Sequence, residues 1–281
     1  MLHVCTVHWH DERWLAPQLQ YLRQHLPADH RIYASLNGID ARWEREFAYA
    51  EDMPGPHHVK LNALADIARR DSQPDDLLLF IDSDAFPIAP VDASLLGDTP
   101  LAAVRRDENM GEQQPHPCFC LTTMGFWYEI EGDWAQGYQW QASNGEMVTD
   151  GGGNLLGTLR EQNIEWRPLL RSNTFDLDPL WFAVYGDVVY HHGAGSRPPV
   201  SFLSGLDGRK AMRTATERAV TPSWVPLLGR AERSLRYRSA KRGYERTIAE
   251  YAARSQQLSD EVFADLAADS EFYRRFTGDR G

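Results

Sequence analysis

The run from Leu77 to Ile88, LLLFIDSDAFPI, decides how the rest of the chain is read. Five apolar residues lead into Asp82-Ser83-Asp84, and Pro87 ends the extended stretch. A short run without polar alternation reads as a strand buried on both faces, as in a parallel sheet. Its C-terminal end is where open α/β sheets place their ligands. Two carboxylates there are costly to desolvate unless something positive meets them. Hard oxygen donors suit Mg²⁺ or Mn²⁺, and Mg²⁺ usually shares its shell with substrate phosphates. The stretch therefore reads as a divalent-metal site for a nucleotide diphosphate. A second triplet, Asp176-Leu177-Asp178, lies in a polar stretch before Pro179 and reads as a loop; the strand-end context separates the two.

Upstream, Leu2 to His8 reads as a first strand and Trp14 to Leu26 as a helix, with apolar residues at Trp14, Leu15, Leu19, Leu22 and Leu26. Arg31 to Leu36 is a second strand, closed by the turn Asn37-Gly38. This β-α-β opening is the first half of a nucleotide-binding sheet. The loop from His8 to Asp11 then faces the ligand, where His8 or His10 either touches it or is simply solvated. Asn37 and Asp40 follow the second strand; Asn37 can read a base edge with its donor and acceptor, or serve only as a turn residue. Next, His57-His58-Val59-Lys60-Leu61-Asn62 precedes a helix expected over Ala63 to Arg70. A helix N-terminus favours anions, and Lys60 adds a point charge there, while Asn62 contacts the ligand or caps the helix. His57 and His58 read as loop residues, because adjacent side chains rarely aim at one ion.

Downstream, Leu95 to Val104 and Pro117 to Thr123 are strand candidates, and the polar stretch Arg105 to Pro115 between them reads as a lid or specificity loop. Phe126 to Trp140 is rich in aromatic residues, which pack in cores or stack on sugar rings. In Met147 to Leu159, Asp150 stands before Gly151-Gly152-Gly153 and a helix running to about Gln162. Glycines let the backbone approach a ligand closely, and Asp150 either caps the helix or faces the reacting group. Asn163 to Leu170 and Trp181 to Tyr190 read as strands. The second ends at His191-His192-Gly193-Ala194-Gly195-Ser196-Arg197-Pro198, a loop suited to metal and anion: an imidazole can complete the shell begun by Asp84, and Arg197 can bind a phosphate oxygen.

The chain has 281 residues, 42% of them hydrophobic and 11% aromatic, enough for one large domain or one domain with an appendage. The division expected is 1–205 for a catalytic domain and 206–281 for a helical region. A net charge of −11 argues against general nucleic-acid binding. The lysines are only Lys60, Lys210 and Lys241, an Arg-heavy usage that hints at a GC-rich bacterial source. Cys5, Cys118 and Cys120 read as buried free thiols. The polar N-terminus and the lack of a ~20-residue apolar run lead to the expectation of a soluble, cytoplasmic protein. Between Gly229 and Ser255 basic residues dominate a partly amphipathic helix, which can lie on an anionic membrane face, bind an acidic partner, or pack on the domain. Leu258 to Phe276 reads as a final short helix.

Taken together, the order of motifs resembles nucleotide-sugar-dependent glycosyltransferases of the GT-A fold, over roughly Leu2 to Pro199. LLLFIDSDAFPI looks like the strand that ends in that group's DxD motif, which binds Mn²⁺ or Mg²⁺ and the sugar-nucleotide diphosphate. KLNALADIA is similar to a helix entry where an Arg-Asn pair contacts the nucleotide, although Leu61 stands at the Arg position. YHHGAGSRPP partly resembles the late His-Gly-Lys-Pro segment of family-8 retaining enzymes. With His191 as the ligand the basic spacing fits through Arg197; with His192 the glycine fits instead. TDGGGNLL is similar to both the family-8 DQDxLN segment and the acidic catalytic position of inverting family-2 enzymes, and matches neither closely. The resemblance implies a mixed α/β sheet flanked by helices, a nucleotide-sugar donor and a hydroxyl acceptor. It implies a metal held by Asp84 and a late His, with Asp82 and Ser83 near the ribose or a metal-bound water. Asp150 would be the base in an inverting reaction or would position the donor sugar in a retaining one. Two other readings stand beside it. A sugar nucleotidyltransferase would carry a Gly-rich basic loop after the first strand, where HWHDERW has no glycine. A non-catalytic carbohydrate- or partner-binding protein would not need Asp82, Asp84 and Asp150.

Overall fold

The computed structural model describes residues 1–109, 111–173, 182–193 and 229–277. In chain order these form β1 (Leu2–Trp9), α1 (Leu15–His25), β2 (His30–Asn37), β3 (Tyr49–Glu51), α2 (His57–Arg69), β4 (Leu77–Asp82), β5 (Ala85–Pro87), β6 (Leu101–Val104), β7 (His116–Thr123), α3 (Met124–Glu129), β8 (Trp140–Gln141), β9 (Met147–Val148), α4 (Gly153–Glu161), β10 (Arg167–Leu169), β11 (Ala183–Tyr185), β12 (Val189–His191), α5 (Gly229–Ala268) and α6 (Arg274–Thr277). They fall into two compact units, Met1–Ser196 with Leu266–Gly281, and Arg197–Asp265. The second unit is described from Gly229 onward, as the greater part of α5. No described helix is long and apolar enough to cross a membrane.

The first unit is a mixed sheet flanked by helices, as expected. Seven strands run in the order β10-β6-β7-β4-β1-β2-β3. Seven of the eight residues of β1 are buried, which fits a central strand covered on both faces. Parallel pairing of β1 with β2 and β4 brings Trp9 opposite Asn37 and Val7 opposite Asp82. Strand β7 runs antiparallel to both β4 and β6, so its first residue, His116, lies at the same edge and faces Val104. One edge of the sheet therefore gathers the ends of β1, β2, β4 and β6 and the beginning of β7. Helix α2 buries Leu61, Leu64, Ala65 and Ala68, one stripe at helical spacing. Cys5, Cys118 and Cys120 are buried free thiols.

Four elements differ from the sequence reading. Helix α2 begins at His57, after Pro56, so His57 to Asn62 are helical; proline next to a helix start costs no hydrogen bond. The expected strand over Leu95 to Val104 is a 3-10 turn at Ala93–Leu96 and a four-residue strand, separated by Gly97 at φ +58°. The expected single strand over Trp181 to Tyr190 is the hairpin β11–β12. Gly186 and Asp187 take φ of +59° and +56°, left-handed angles at the centre of a three-residue connection whose turn is closed by the Val188 amide on the Tyr185 carbonyl at 3.0 Å. The final helix is not separate over Leu258 to Ala268, where the chain continues α5.

β5 leaves the seven-stranded sheet and joins a small sheet of order β11-β12-β5. An aromatic layer packs behind it. The ring of Phe86 on β5 lies 5.4 Å from that of Tyr21 and 6.1 Å from Trp14. On β12, Tyr190 meets Phe272 edge-on at 4.6 Å, and Phe276 stacks on Phe182 at 5.9 Å. The Tyr21 hydroxyl is shared between the carbonyls of Leu266, at 3.2 Å, and Asp269, at 3.3 Å. The segment from Leu266 to Phe276 is thus fastened behind the hairpin. His192 belongs to this layer, 5.0 Å from the Trp14 ring and 5.1 Å from Phe182, with Nδ1 3.1 Å from the Tyr190 hydroxyl.

Two outcomes follow for stability. Phe272→Ala removes a buried ring and should lower the unfolding free energy by about 3 kcal/mol, read as a lower urea midpoint. Burial pushes His192 down to about 3. The unfolded chain takes up that proton near 6.5 while the folded protein refuses it. The stabilisation is therefore complete above pH 6.5 and drains as pH falls toward 3, by about 1.4 kcal/mol per pH unit. His192→Phe keeps the aromatic volume and should flatten the fall of Tm between pH 6.5 and 4; an unchanged slope would place the acid lability elsewhere.

Candidate functional site

Asp82 is the last residue of β4, and Ser83-Asp84 form the turn into β5. The turn is pinned from behind by Gln18 of α1, whose Nε2 donates to the carbonyls of Asp82 at 2.6 Å and Ala85 at 3.2 Å. Beyond it, antiparallel pairing places His191 opposite Ala85, and the His192 amide donates to the Asp84 carbonyl at 2.9 Å. The result is a cluster in which one ligand atom from each of Asp82, Asp84 and His191 lies within 4.8 Å of the others. His191 Nε2 is 3.4 Å from Asp84 Oδ1, with both side chains nearly buried. Successive residues of a strand face opposite ways. Of the two histidines left open by the sequence, His191 is the one brought to the carboxylates. His192, also a metal candidate by sequence, is directed into the aromatic layer instead.

The electrostatics match this geometry. Burial alone would lower His191, but Asp84 and Asp82 raise it above its ordinary value. His57 is treated likewise by Asp82, whose Oδ1 stands 3.2 Å from its Nε2. His57 is the first residue of α2 and remains well exposed, so the sequence reading of a plain loop residue is corrected: it faces the acidic pair. Two carboxylates and an imidazole are a donor set that fits Mn²⁺ or Mg²⁺, and the convergence of the three atoms leaves room for one ion between them.

The other expected contacts divide by how the fold uses them. His8, at the end of β1, is buried, and neither ring nitrogen has a hydrogen-bond partner among the described residues. Burial drives it down to about 4 against the pull of the adjacent Gln18 side chain and of Asp84, which leaves it neutral. Asn37 is saturated: Nδ2 donates to Asp52 and, at 2.8 Å, to the Met53 carbonyl, while Oδ1 accepts from Lys60 at 2.6 Å and Ser35 at 3.0 Å. Lys60 is buried, with Nζ also 4.3 Å from the centre of the Trp9 ring, and burial lowers its pKa. Asn62 lies inside α2 rather than at its cap; it donates to Asp133 at 2.6 Å and accepts from the Trp134 amide at 3.2 Å. Asp40 is exposed and caps the following turn through the Arg42 amide. Ser83 is half-buried in the turn between the two carboxylates. Arg197, with most of its loop, lies outside the described residues, as does Asp176-Leu177-Asp178.

Asp150 is exposed, with Oδ1 accepting from the Gly151 amide at 2.8 Å. Its other oxygen is 3.8 Å from Nη2 of Arg106, a residue the sequence reading passed over. Arg106 is half-buried and forked onto Glu112 by bonds of 2.7 and 2.8 Å, and Glu112 holds it protonated although its partial burial opposes this. Nearby His116 is lowered by burial and by the Arg106 charge, and its ring centre lies 6.3 Å from that of His191. Gln114, between them in sequence, is fully buried with no partner for its amide among the described residues. Behind it Gly152 sits at φ +89°, where a Cβ would strike the Pro115 carbonyl oxygen. An Arg and a Glu six positions apart in a polar loop carry no periodic signal. Only the antiparallel placement of β7, which folds that loop back over the sheet edge, brings them to the site.

No family model matches the chain, and no curated protein matches it. Among solved structures, it is similar to the apo form of glycosyltransferase GlyE from Streptococcus pneumoniae TIGR4, at 17% identity over 59% of this chain, with a TM-score of 0.37. That match spans 44% of the GlyE chain, less than half its length. It is also similar to galactosyltransferase LgtC in complex with donor and acceptor sugar analogs, at 12% identity over 56% of this chain and 70% of that one, with a TM-score of 0.33. An active-site mutant of LgtC gives 12% identity over 79% of this chain and 98% of that one, with a TM-score of 0.39.

Proposed function

We propose that the protein is a glycosyltransferase that moves a sugar from a nucleotide-diphosphate donor to a hydroxyl acceptor, with Mn²⁺ or Mg²⁺ at Asp82, Asp84 and His191. The observation that carries this is the convergence of those three side chains at the ligand-bearing edge of the sheet. Asp84 and His191 hold the ion, and Asp82 binds it directly or through water while pairing with His57. The ion, when bound, neutralises charge on the departing diphosphate. Neutral His8, buried near the end of β1 within reach of the Asp84 charge, supports the donor site from beneath. Arg197 is the residue proposed for a second phosphate, on its charge and its place in the sequence after His191.

Asp150 is the candidate base for the acceptor hydroxyl, or the group that orients the donor sugar if configuration is retained. Its exposure suits a residue that must meet an incoming substrate, and Arg106 stands beside it as a fixed cation. In this reading Asn37 and Lys60 shape the base end of the site from within. The basic part of α5, where Arg238, Lys241, Arg242 and Arg246 are exposed alongside Leu235, supports peripheral contact with an anionic membrane face.

A thermal-shift series with UDP-, GDP- and dTDP-sugars, with and without Mn²⁺, tests the proposal. One sugar nucleotide should stabilise the protein only when metal is present. A preference for nucleoside triphosphates would favour nucleotidyl transfer, and no response to any would remove the donor site. Asp84→Asn preserves shape and removes charge; it should weaken metal-dependent donor binding by more than the roughly 10–100-fold typical of losing an outer-shell partner. Asp150→Asn should bind donor normally and lose about 10²–10⁴ in turnover; wild-type turnover would exclude it as the base.

A further inference from the structure

Away from the carboxylate cluster, the loop after β6 and helix α4 line an open-sided cavity of about 480 Å³, within the ~300–1,000 Å³ range of small-molecule sites. Its apolar wall is Leu156 and Leu159 of α4 with Ile164 and the partly exposed Trp166 just beyond. Its charged wall is Arg105, Asp107, Glu112 and Arg160. Two cations and two carboxylates balance, so a phosphate or carboxylate ligand meets repulsion as well as attraction. A neutral polyol can donate to one sign and accept from the other. The polar wall is also already organised. Arg105 forks onto Asp107 with bonds of 2.6 and 3.0 Å, and Arg160 donates to the Tyr138 hydroxyl at 2.7 Å. Groups fixed before binding lose little entropy on binding. Beside them the Trp166 ring and the aliphatic wall suit the C–H face of a pyranose.

We propose that this cavity binds a neutral saccharide and, resting on the glycosyl-transfer reading, that it holds the part of the acceptor next to the reacting hydroxyl. Its position supports that role. Glu112 lines the cavity and grips Arg106, whose Nη2, one of the two nitrogens bonded to Glu112, is also 3.8 Å from Asp150. The cavity wall and the candidate base are therefore joined through one half-buried side chain.

The test is saturation-transfer NMR of the full chain with cellobiose, maltose and melibiose, run beside the thermal shift with sugar nucleotide and Mn²⁺. At least one disaccharide should give transfer, falling at least fivefold in Trp166→Ala and in Asp107→Ala, with the nucleotide-dependent shift unchanged in both. Asp107 is exposed on its loop, so its variant guards against a folding defect in the first. No transfer from any of the three sugars, or equal transfer in wild type and both variants, overturns the saccharide site. Saccharide transfer that the variants lose, in a protein that binds no sugar nucleotide, upholds the cavity and removes the donor reading instead.

Discussion

The structure depends on what happens to the chain in the three residues after β4. Two carboxylates at the end of a buried strand repel each other and lose solvation, so the fold must supply positive or polar partners. It does so by changing sheets. β4 ends at Asp82, the chain turns through Asp84, and β5 leaves to pair with β12. That one exit carries a histidine from more than a hundred residues later to the acidic turn. Gln18 fixes the exit from behind by holding the carbonyls on either side of it. Neither the main sheet nor the small one makes the site alone; their junction does.

The same junction explains why the end of the chain matters to the first unit. The hairpin has three-residue strands and, by itself, little to hold it. Its outer support is aromatic: Tyr190 is covered by Phe272 and Phe276, and Tyr21 of α1 ties down the segment that carries them. His192 faces that support while His191 faces the carboxylates, so one dipeptide joins packing to chemistry. A disturbance of the aromatic side should therefore be felt on the ligand side through the backbone of a single strand.

How far the sequence revealed this varies with the range of the interaction. β1, α1, β2 and β4 were legible because run length and period are local properties, and Asp82 and Asp84 came with β4. His191 came only as one of a pair, since its partner strand is remote in sequence and strand alternation has no meaning until pairing is known. The hairpin turn at Gly186-Asp187 was missed because valines on either side read as one strand; left-handed angles at two consecutive residues are a backbone fact that composition only suggests. His57, Gln18, Arg106 and Glu112 were invisible for a different reason. Each acts through a partner in another element, and no periodicity marks a buried ion pair or a side chain that grips a distant carbonyl.

Residues that looked like ligand contacts turn out to differ by an inventory of hydrogen bonds. Asn37 has both donors and both acceptor positions filled from within, and Asn62 is engaged at both ends of its amide. Asn37 so bonded helps hold the frame, while the Asn62 amide keeps one donor and one acceptor position beyond those two bonds. His8 and Gln114 are the reverse, buried with their polar atoms unpartnered among the described residues, an arrangement that costs roughly 1–3 kcal/mol per group. A fold keeps that cost where something else supplies the missing bond. His8 feels the Asp84 charge of the acidic turn, and Gln114 lies two residues before His116 at the start of β7. The capacity to bind, on this argument, resides in the groups whose bonding the protein leaves incomplete rather than in those whose type alone suggests recognition.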